Sequence, residues 1–435
     1  MELYRFGAAA WCAASKFNTI PPGLMGPLFR AGDAVLRQFD EPFLHTLLHL
    51  NGKGCRDPRD KIYGALGLAP ALVADKIVPD YNKSTEEVYT DAVVALCEAT
   101  GRIDFLLACD LVNRSLPGPT WVPDWSVAQR LSPRWLLSTT LASSISVSTA
   151  ELTNTPKPTL LVQGVECGTI SSVRLRAPEH DDNLESLEPV IRSWAPECVE
   201  NEMYINKKES LLDAFVKTVH WNTLRERCPL DNATLTLDDA TEAIREILCA
   251  PNKQKATDNR PDPGKRSYKS RYREALGRVY IELNSGYMGM TSAEPEELDI
   301  VCVILGCPLP MILRPHSSGR YQVVGPAYIH GLMDAEGVLG SLPQSVVVQV
   351  GASSGWYGGV TFRNLATNET VSEDPRLGEV PSSWVRIKAD RTPNDPLHFV
   401  RFRDLATGKT INGDPRLLPD HLRARGVPLK PLKLV

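Results

Sequence analysis

The chain lacks any apolar run approaching the ~18 residues of a membrane span, so no membrane partner is expected. It lacks an excess of either charge. Its 48 Lys and Arg against 52 Asp and Glu argue against a polycationic nucleic-acid binder. It lacks a Cys-x-x-Cys pair and any cysteine beside a histidine at zinc-finger spacing. Its ten cysteines therefore read as scattered, reduced thiols of a cytoplasmic protein. Cys302 and Cys307 bracket Val303-Ile304-Leu305-Gly306 and are expected as buried thiols at a strand end. Phe6 to Cys12 is too short and weak for a signal peptide. A glycine-rich phosphate loop and a Gly-x-Ser-x-Gly elbow are also missing. The sequence thus offers no catalytic residues, no metal set and no cofactor.

Proline is plentiful instead. The 435 residues hold 34 prolines, where an average composition would supply roughly 22. This favours turns and extended connections over a long helical bundle. The length suggests about three domains.

Pro21-Pro22-Gly23 breaks the first fifty residues, which end in the apolar stretch Phe43 to His49. His45 and His49 have helical spacing, yet no Glu accompanies them as in a metalloprotease helix, so a structural pair is expected. In Asp57-Pro58-Arg59-Asp60-Lys61-Ile62-Tyr63 the spacing predicts a helix with Asp57 as N-cap, Pro58 at the first position and Gly67 closing it. Pro79-Asp80-Tyr81 then leads to Ser84 and Glu87, a capping box before a helix of about 16 residues ending at Gly101. Its positions Val88, Ala92, Ala95, Leu96 and Ala99 recur on one face. Residues 102–107 read as a short packed element. Trp121-Val122-Pro123-Asp124-Trp125-Ser126 cannot be helical; it reads as an extended clamp with two buried Trp rings and Asp124 holding a turn.

Residues 159–170 are β-like in composition, and helical patterns return over 180–250. Residues 251–273 carry eight Lys and Arg against Asp258 and Asp262, and read as a basic, solvated linker. Strand-like runs follow at 278–282, 300–305, 311–313 and 321–324, separated by glycine-containing turns. His330 has no catalytic companion in sequence and is expected to be structural.

The last hundred residues contain a duplication. Phe362-Arg363-Asn364-Leu365-Ala366-Thr367 through Asp374-Pro375-Arg376-Leu377 returns as Phe402-Arg403-Asp404-Leu405-Ala406-Thr407 through Asp414-Pro415-Arg416-Leu417. Each copy reads as a strand, a polar turn, a second strand and a proline exit. The pattern resembles a WW domain, which implies Trp384 and Pro415 as its structural buckle. The ligand-stacking Trp of that family falls at Ser372 and Asn412, which removes the apolar contact for proline peptides and implies a degenerate module.

Four stretches together resemble fungal heterokaryon incompatibility (HET) domain proteins: Asp57, Pro58, Arg59, Asp60 and Tyr63; Pro79, Asp80 and Tyr81; Trp121, Pro123, Asp124 and Trp125; and the run containing Tyr328, His330 and Gly331. The resemblance implies nonself recognition and programmed cell death, acting through other proteins as partners. The family's front segment, with its Ala-Leu-Ser-Tyr-x-Trp-Gly-like strand, is not found before Asp57. A truncated paralogue, an incomplete gene model or an accessory protein would each account for that. HET domains are distantly similar to TIR domains, some of which hydrolyse NAD, so that activity is the enzymatic alternative. A proline-peptide adaptor is the third.

The expected fold is α+β. A partial HET-like helical region spans 1–130, a mixed region 131–250 and the basic linker 251–273. A β-rich meander or small barrel spans 274–340, and two WW-like hairpin modules span 341–435.

Overall fold

A computed structural model describes residues 43–51, 53–127, 141–153, 158–179, 187–229, 235–249, 272–316, 319–351, 360–387 and 400–435. The reading of residues 1–42, the side chains of His45 and His49, and the basic run over 251–271 lie outside the described residues.

Helices dominate the first part. These are α1 (Phe43–Leu50), the single turns α2 (Asp60–Tyr63) and α3 (Ala71–Ala74), and α4 (Thr85–Thr100). The capping box is present at α4. Ser84 Oγ accepts from Glu87 N, the Glu87 carboxylate accepts from Ser84 N, and Gly101 closes the helix at φ +67°. Its buried face is the predicted one, with Tyr89 and Val93 added. The short element after it is a 3₁₀ turn, Asp104–Ala108, nearly all buried. Helix α2 is shorter than the spacing predicts. Asp57 Oδ1 accepts from the Arg59 amide as a cap does, its carboxylate also takes the Arg59 guanidinium, and the turn closes at Gly64, not Gly67.

Strands β1 (Glu151–Thr153) and β2 (Thr159–Arg176) follow, then α5 (Leu187–Trp194), α6 (Leu211–Val219) and α7 (Leu237–Cys249). The strands β3 (Val279–Leu283), β4 (Met288–Thr291), β5 (Ile300–Ile304), β6 (Met311–His316) and β7 (Arg320–Ile329) form the main sheet with β2. In this sheet β2, β3, β4, β7, β6 and β5 pair each with the next, and β5 pairs back onto β2. Beyond a bulge between Glu166 and Gly168, β2 hands over from β5 to β3, so consecutive stretches of one bent strand serve the two neighbours. Period-2 alternation sends Val279, Ile281, Val301, Ile312, Ala327 and Ile329 into one aliphatic cluster. Tyr280, Met290, Cys302 and Tyr328 face the helices; Tyr280 stacks on Trp194 at 5.9 Å and meets Phe215 edge-on at 5.8 Å. Cys302 and Cys307 are buried thiols, as expected, and burial pushes Cys307 up to about 12.

After the single turn α8 (Glu336–Leu339), the duplication appears as two three-stranded antiparallel sheets. One comprises β8 (Val346–Val350), β9 (Val360–Asn364) and β10 (Thr370–Val371). The other comprises β11 (Trp384–Ile387), β12 (Arg401–Asp404) and β13 (Thr410–Ile411). Their registers correspond: Arg363 lies between Val347 and Thr370, as Arg403 lies between Val385 and Thr410. Asn364 and Asp404 each accept from the amide two residues on at 2.9 Å, and Asn368 and Gly408 supply the positive φ of the turn. Each copy ends in an Asp-Pro-Arg clasp whose arginine reaches back to the glycine before its own module, Arg376 to Gly340 O and Arg416 to Gly378 O.

The helix α9 (Pro419–Ala424) leads to β14 (Lys430–Leu434), an element the sequence reading did not anticipate. It pairs antiparallel with residues 160–164 of β2 and parallel with the start of β7. The main sheet therefore draws strands from the 131–250, 274–340 and 341–435 segments alike. Among the described residues no helix is long and apolar enough to cross a membrane.

Candidate functional site

The first two HET-like stretches meet. Proline fixes the backbone between Asp57 and Arg59, so Asp57 Oδ1 accepts from Arg59 N and Nε, both at 3.0 Å, and Oδ2 from Nη2 at 2.8 Å. The free edge of the guanidinium donates to the Tyr81 and Lys83 carbonyls, and its plane lies 5.2 Å from the Tyr81 ring centre. Tyr81 Oη donates to Asp60 at 2.6 Å, while Tyr63 Oη bridges the Asp80 backbone N–H and C=O at 3.1 Å. The two tyrosine rings meet edge-on at 5.2 Å. Pro79 is exposed at the outer edge of this staple. The geometry is the same Asp-Pro-Arg clasp that ends both tail modules: carboxylate on one guanidinium edge, a distant carbonyl on the other.

The third stretch forms a buried clamp. Trp121, Pro123 and Trp125 are enclosed. Asp124 between them accepts five hydrogen bonds, from the amides and hydroxyls of Ser115 and Ser126 and from Leu116 N. Burial pushes this carboxyl up, but the Ser126 and Ser115 donors outweigh it and hold it below its ordinary value. Thr120 binds the clamp to the sheet. Its amide and hydroxyl donate to Val435 O, and its Oγ1 accepts from Val323 N at 2.8 Å. A small cleft beside Asp124 is lined by Asp110, Asn113, Arg114, Ser292 and Pro326.

The fourth stretch holds the most concentrated polar network. Tyr328 and His330 project from the same face of the β7 end, two residues apart. The Tyr328 hydroxyl lies 3.0 Å from His330 Nδ1, and His330 Nε2 lies 2.9 Å from Glu209 Oε1. This fits an imidazole that donates to the carboxylate and accepts from the tyrosine. Glu209 also receives Asn206 Nδ2 at 2.7 Å and Lys217 Nζ at 2.6 Å. Burial pushes Glu209 up, yet His330 and Lys217 beside it bring it well below the carboxylate range. Trp221 stacks on Tyr328 at 5.6 Å, and Tyr204 Oη donates to His330 O at 2.9 Å. Gly331 turns the chain at φ +87°, where a Cβ would stand 3.2 Å from the Tyr287 ring. Beyond it Asp334 takes a two-pronged pair from Arg227, at 2.8 and 2.6 Å, and its carbonyl accepts from Arg376 of the first tail module at 2.6 Å. Burial and the neighbouring Asp334 push Glu336 up to about 7.

Carboxylate, imidazole and hydroxyl stand here in the order of a proton relay. The terminal hydroxyl is Tyr328, 2% exposed and capped by Trp221. Glu209, Lys217 and Arg227 escaped the sequence reading. Glu209 lies just before the Ser210 cap of α6 and Lys217 near the helix end, eight positions on, a spacing that signals neither their ion pair nor a histidine 121 positions away. In the tail, Trp384 is half-buried opposite Asp404, and Pro415 is buried at the start of a 3₁₀ turn. Among the described residues no cluster of His, Cys, Asp and Glu is arranged to hold a metal ion.

Residues 253–341, which include β3 to β7 with Tyr328, His330 and Asp334, match the family described as the Het-6 beta-barrel domain. The chain is 22% identical over 382 residues to "Heterokaryon incompatibility protein 6, OR allele" of Neurospora crassa. That match covers 74% of this chain and 56% of the relative, so the chain spans little more than half the relative's length. No solved structure matches it. The matching domain and the distant relative together support a fungal protein of the heterokaryon incompatibility class.

Proposed function

We propose that this protein acts in nonself recognition and regulated cell death in a filamentous fungus, in the cytoplasm, by contacting other proteins rather than by chemistry of its own. One observation carries the non-catalytic part of the reading. The reactive side chains of the HET-like stretches are bound internally: Arg59 by Asp57, Asp124 by five donors, and His330 by Tyr328 and Glu209. Groups so engaged are held by the fold, and His330 faces a buried tyrosine rather than an open site. The matching registers of the two tail sheets support reading them as degenerate WW-like units, with Trp384 and Pro415 as a buckle.

The test is expression of the full chain in a filamentous host, with viability scored after fusion to strains of unlike genotype. Purified protein is incubated with NAD in parallel. Genotype-dependent death without nicotinamide release is expected. Viability indifferent to fusion would remove the recognition role, and turnover of NAD above buffer would replace the non-catalytic reading with an enzymatic one.

A further inference from the structure

Where the end of the main sheet meets the first tail module, acids outnumber their cations. Asp334 takes both prongs of Arg227, and Arg376 of the module closes on Asp374 at 2.9 and 2.6 Å. Both guanidinium groups are thereby committed. The same two arginines also join the module to the sheet. Arg376 donates to the Asp334 and Gly340 carbonyls, and the Arg227 carbonyl accepts from Val350 N at 2.7 Å. A third carboxyl, Glu336, stands in this junction without a cation. Its Oε2 accepts from Asp334 N at 2.7 Å, and among the described residues no lysine or arginine forms an ion pair with it.

The surroundings do not supply one. A Cβ on Gly337, the next residue, would stand 3.6 Å from Cys167 Sγ, and Tyr204 and Tyr287 face Glu336 from the other side chains packed there. Burial pushes all three of these groups up, so they are neutral at pH 7. Glu209, beyond Tyr204, is paired with Lys217. Lys208 and Arg425 are turned onto the Leu342 and Arg376 carbonyls. Ala335, between the two acids, sits at φ +65°, a costly conformation for a residue with a Cβ, so the fold imposes the bend that brings them together.

We propose that Glu336 is a proton-operated catch between the main sheet and the first tail module. Neutral, it leaves two carboxylates facing two guanidinium groups, and the module stays clasped. Ionised, it adds a third negative charge beside Asp334, competes with Asp374 for Arg376 and loosens the clasp. Burial and Asp334 raise this carboxyl to about 7, so the neutral form belongs to the docked state. Docking is therefore strongest in mild acid and weakens as pH rises through neutrality. With an ordinary value of about 4.3 in the open state, module opening should rise roughly tenfold between pH 6 and pH 8. The catch stands apart from the role in incompatibility.

Cys228 reports opening, because it is buried with Val348, Val350, Val360 and Phe362 of the module. Maleimide labelling of Cys228 in the full chain, mapped by mass spectrometry, compares wild type with Glu336→Gln at each pH, so the thiol's own titration cancels. The wild-type rate relative to the variant should climb roughly tenfold from pH 6 to pH 8. Hydrogen exchange of the wild type reads the same event without a variant. The protection factor of the Val350 amide should fall roughly tenfold over that range while those of α4 hold. A ratio of labelling rates that is constant with pH, an unchanged Val350 amide, or a loss of protection shared equally by α4 would each overturn the proposal.

Discussion

Replacing Asp124 tests whether one buried carboxylate organises the Trp121–Trp125 clamp. Its Oδ2 accepts two amides and one hydroxyl, at 2.8, 3.1 and 2.9 Å, and its Oδ1 accepts one amide and one hydroxyl, at 2.9 and 2.5 Å. Hydroxyls can rotate to other partners, but the three amide hydrogens are fixed by the backbone. Asp124→Ala strands all three, and at ~1–3 kcal/mol for each buried unsatisfied donor the loss is about 3–6 kcal/mol after partial relaxation. Asp124→Asn keeps one oxygen, which serves the Ser115 and Leu116 amides, while its NH₂ confronts the Ser126 N–H; its loss is about 1–3 kcal/mol. Urea unfolding at pH 7 should rank wild type above Asn above Ala. The carboxyl is held below its ordinary value in the fold, so its contribution is present above about pH 3.9 and is lost as pH falls below that. The Asn variant should therefore converge on wild type in acid. An Asn variant within about 0.5 kcal/mol of wild type at pH 7 would refute the reasoning, because that is the range of inert surface changes.

Glu209→Gln should cost about 2–4 kcal/mol at pH 7, since it leaves Lys217 in a partly buried site without its charge partner. Glu209 is lowered in the fold, so the difference should shrink below about pH 4.3 in pH-dependent urea titrations. Arg416→Met breaks the pair with Asp414, which is 1% exposed, and should cost about 3 kcal/mol or more by the same measurement. Arg386→Met, on an exposed position of the same module, should change stability by less than about 0.5 kcal/mol. Under native alkylation mapped by mass spectrometry, Cys55, Cys198 and Cys249 should react first among the cysteines of the described residues. Cys109, Cys302 and Cys307, buried and pushed up by that burial, should react only after unfolding.

Local chemistry was legible wherever it is local. The box at Ser84 and Glu87, the stripe from Val88 to Ala99 and the duplicated Asp-Pro-Arg all announce themselves within a few residues. At Asp57 local logic was incomplete: the carboxylate takes the Arg59 amide, as a cap does, and also the Arg59 guanidinium, which offers the stronger bonds. The short strand Met288–Thr291 carries Gly289 and neither alternation nor β-branched residues before Thr291, so composition hid it. Lys430–Leu434 reads as a charged tail, and only the open edge of β2 makes it a strand. The Glu209–His330 contact crosses 121 positions, which no pattern in a single sequence encodes.

The strand β14 has a consequence for synthesis. Lys430 reaches Glu166 across 264 positions, and Val435 reaches Thr120 across 315. At roughly 5–20 residues per second the ribosome needs roughly 15–50 s after making β2 before its partner exists. Through that interval residues 160–164 lack the partner that later covers them, a template open to any passing strand. Pairing of this edge therefore waits until residues 430–434 have been made, and β14 acts as the latch of the sheet.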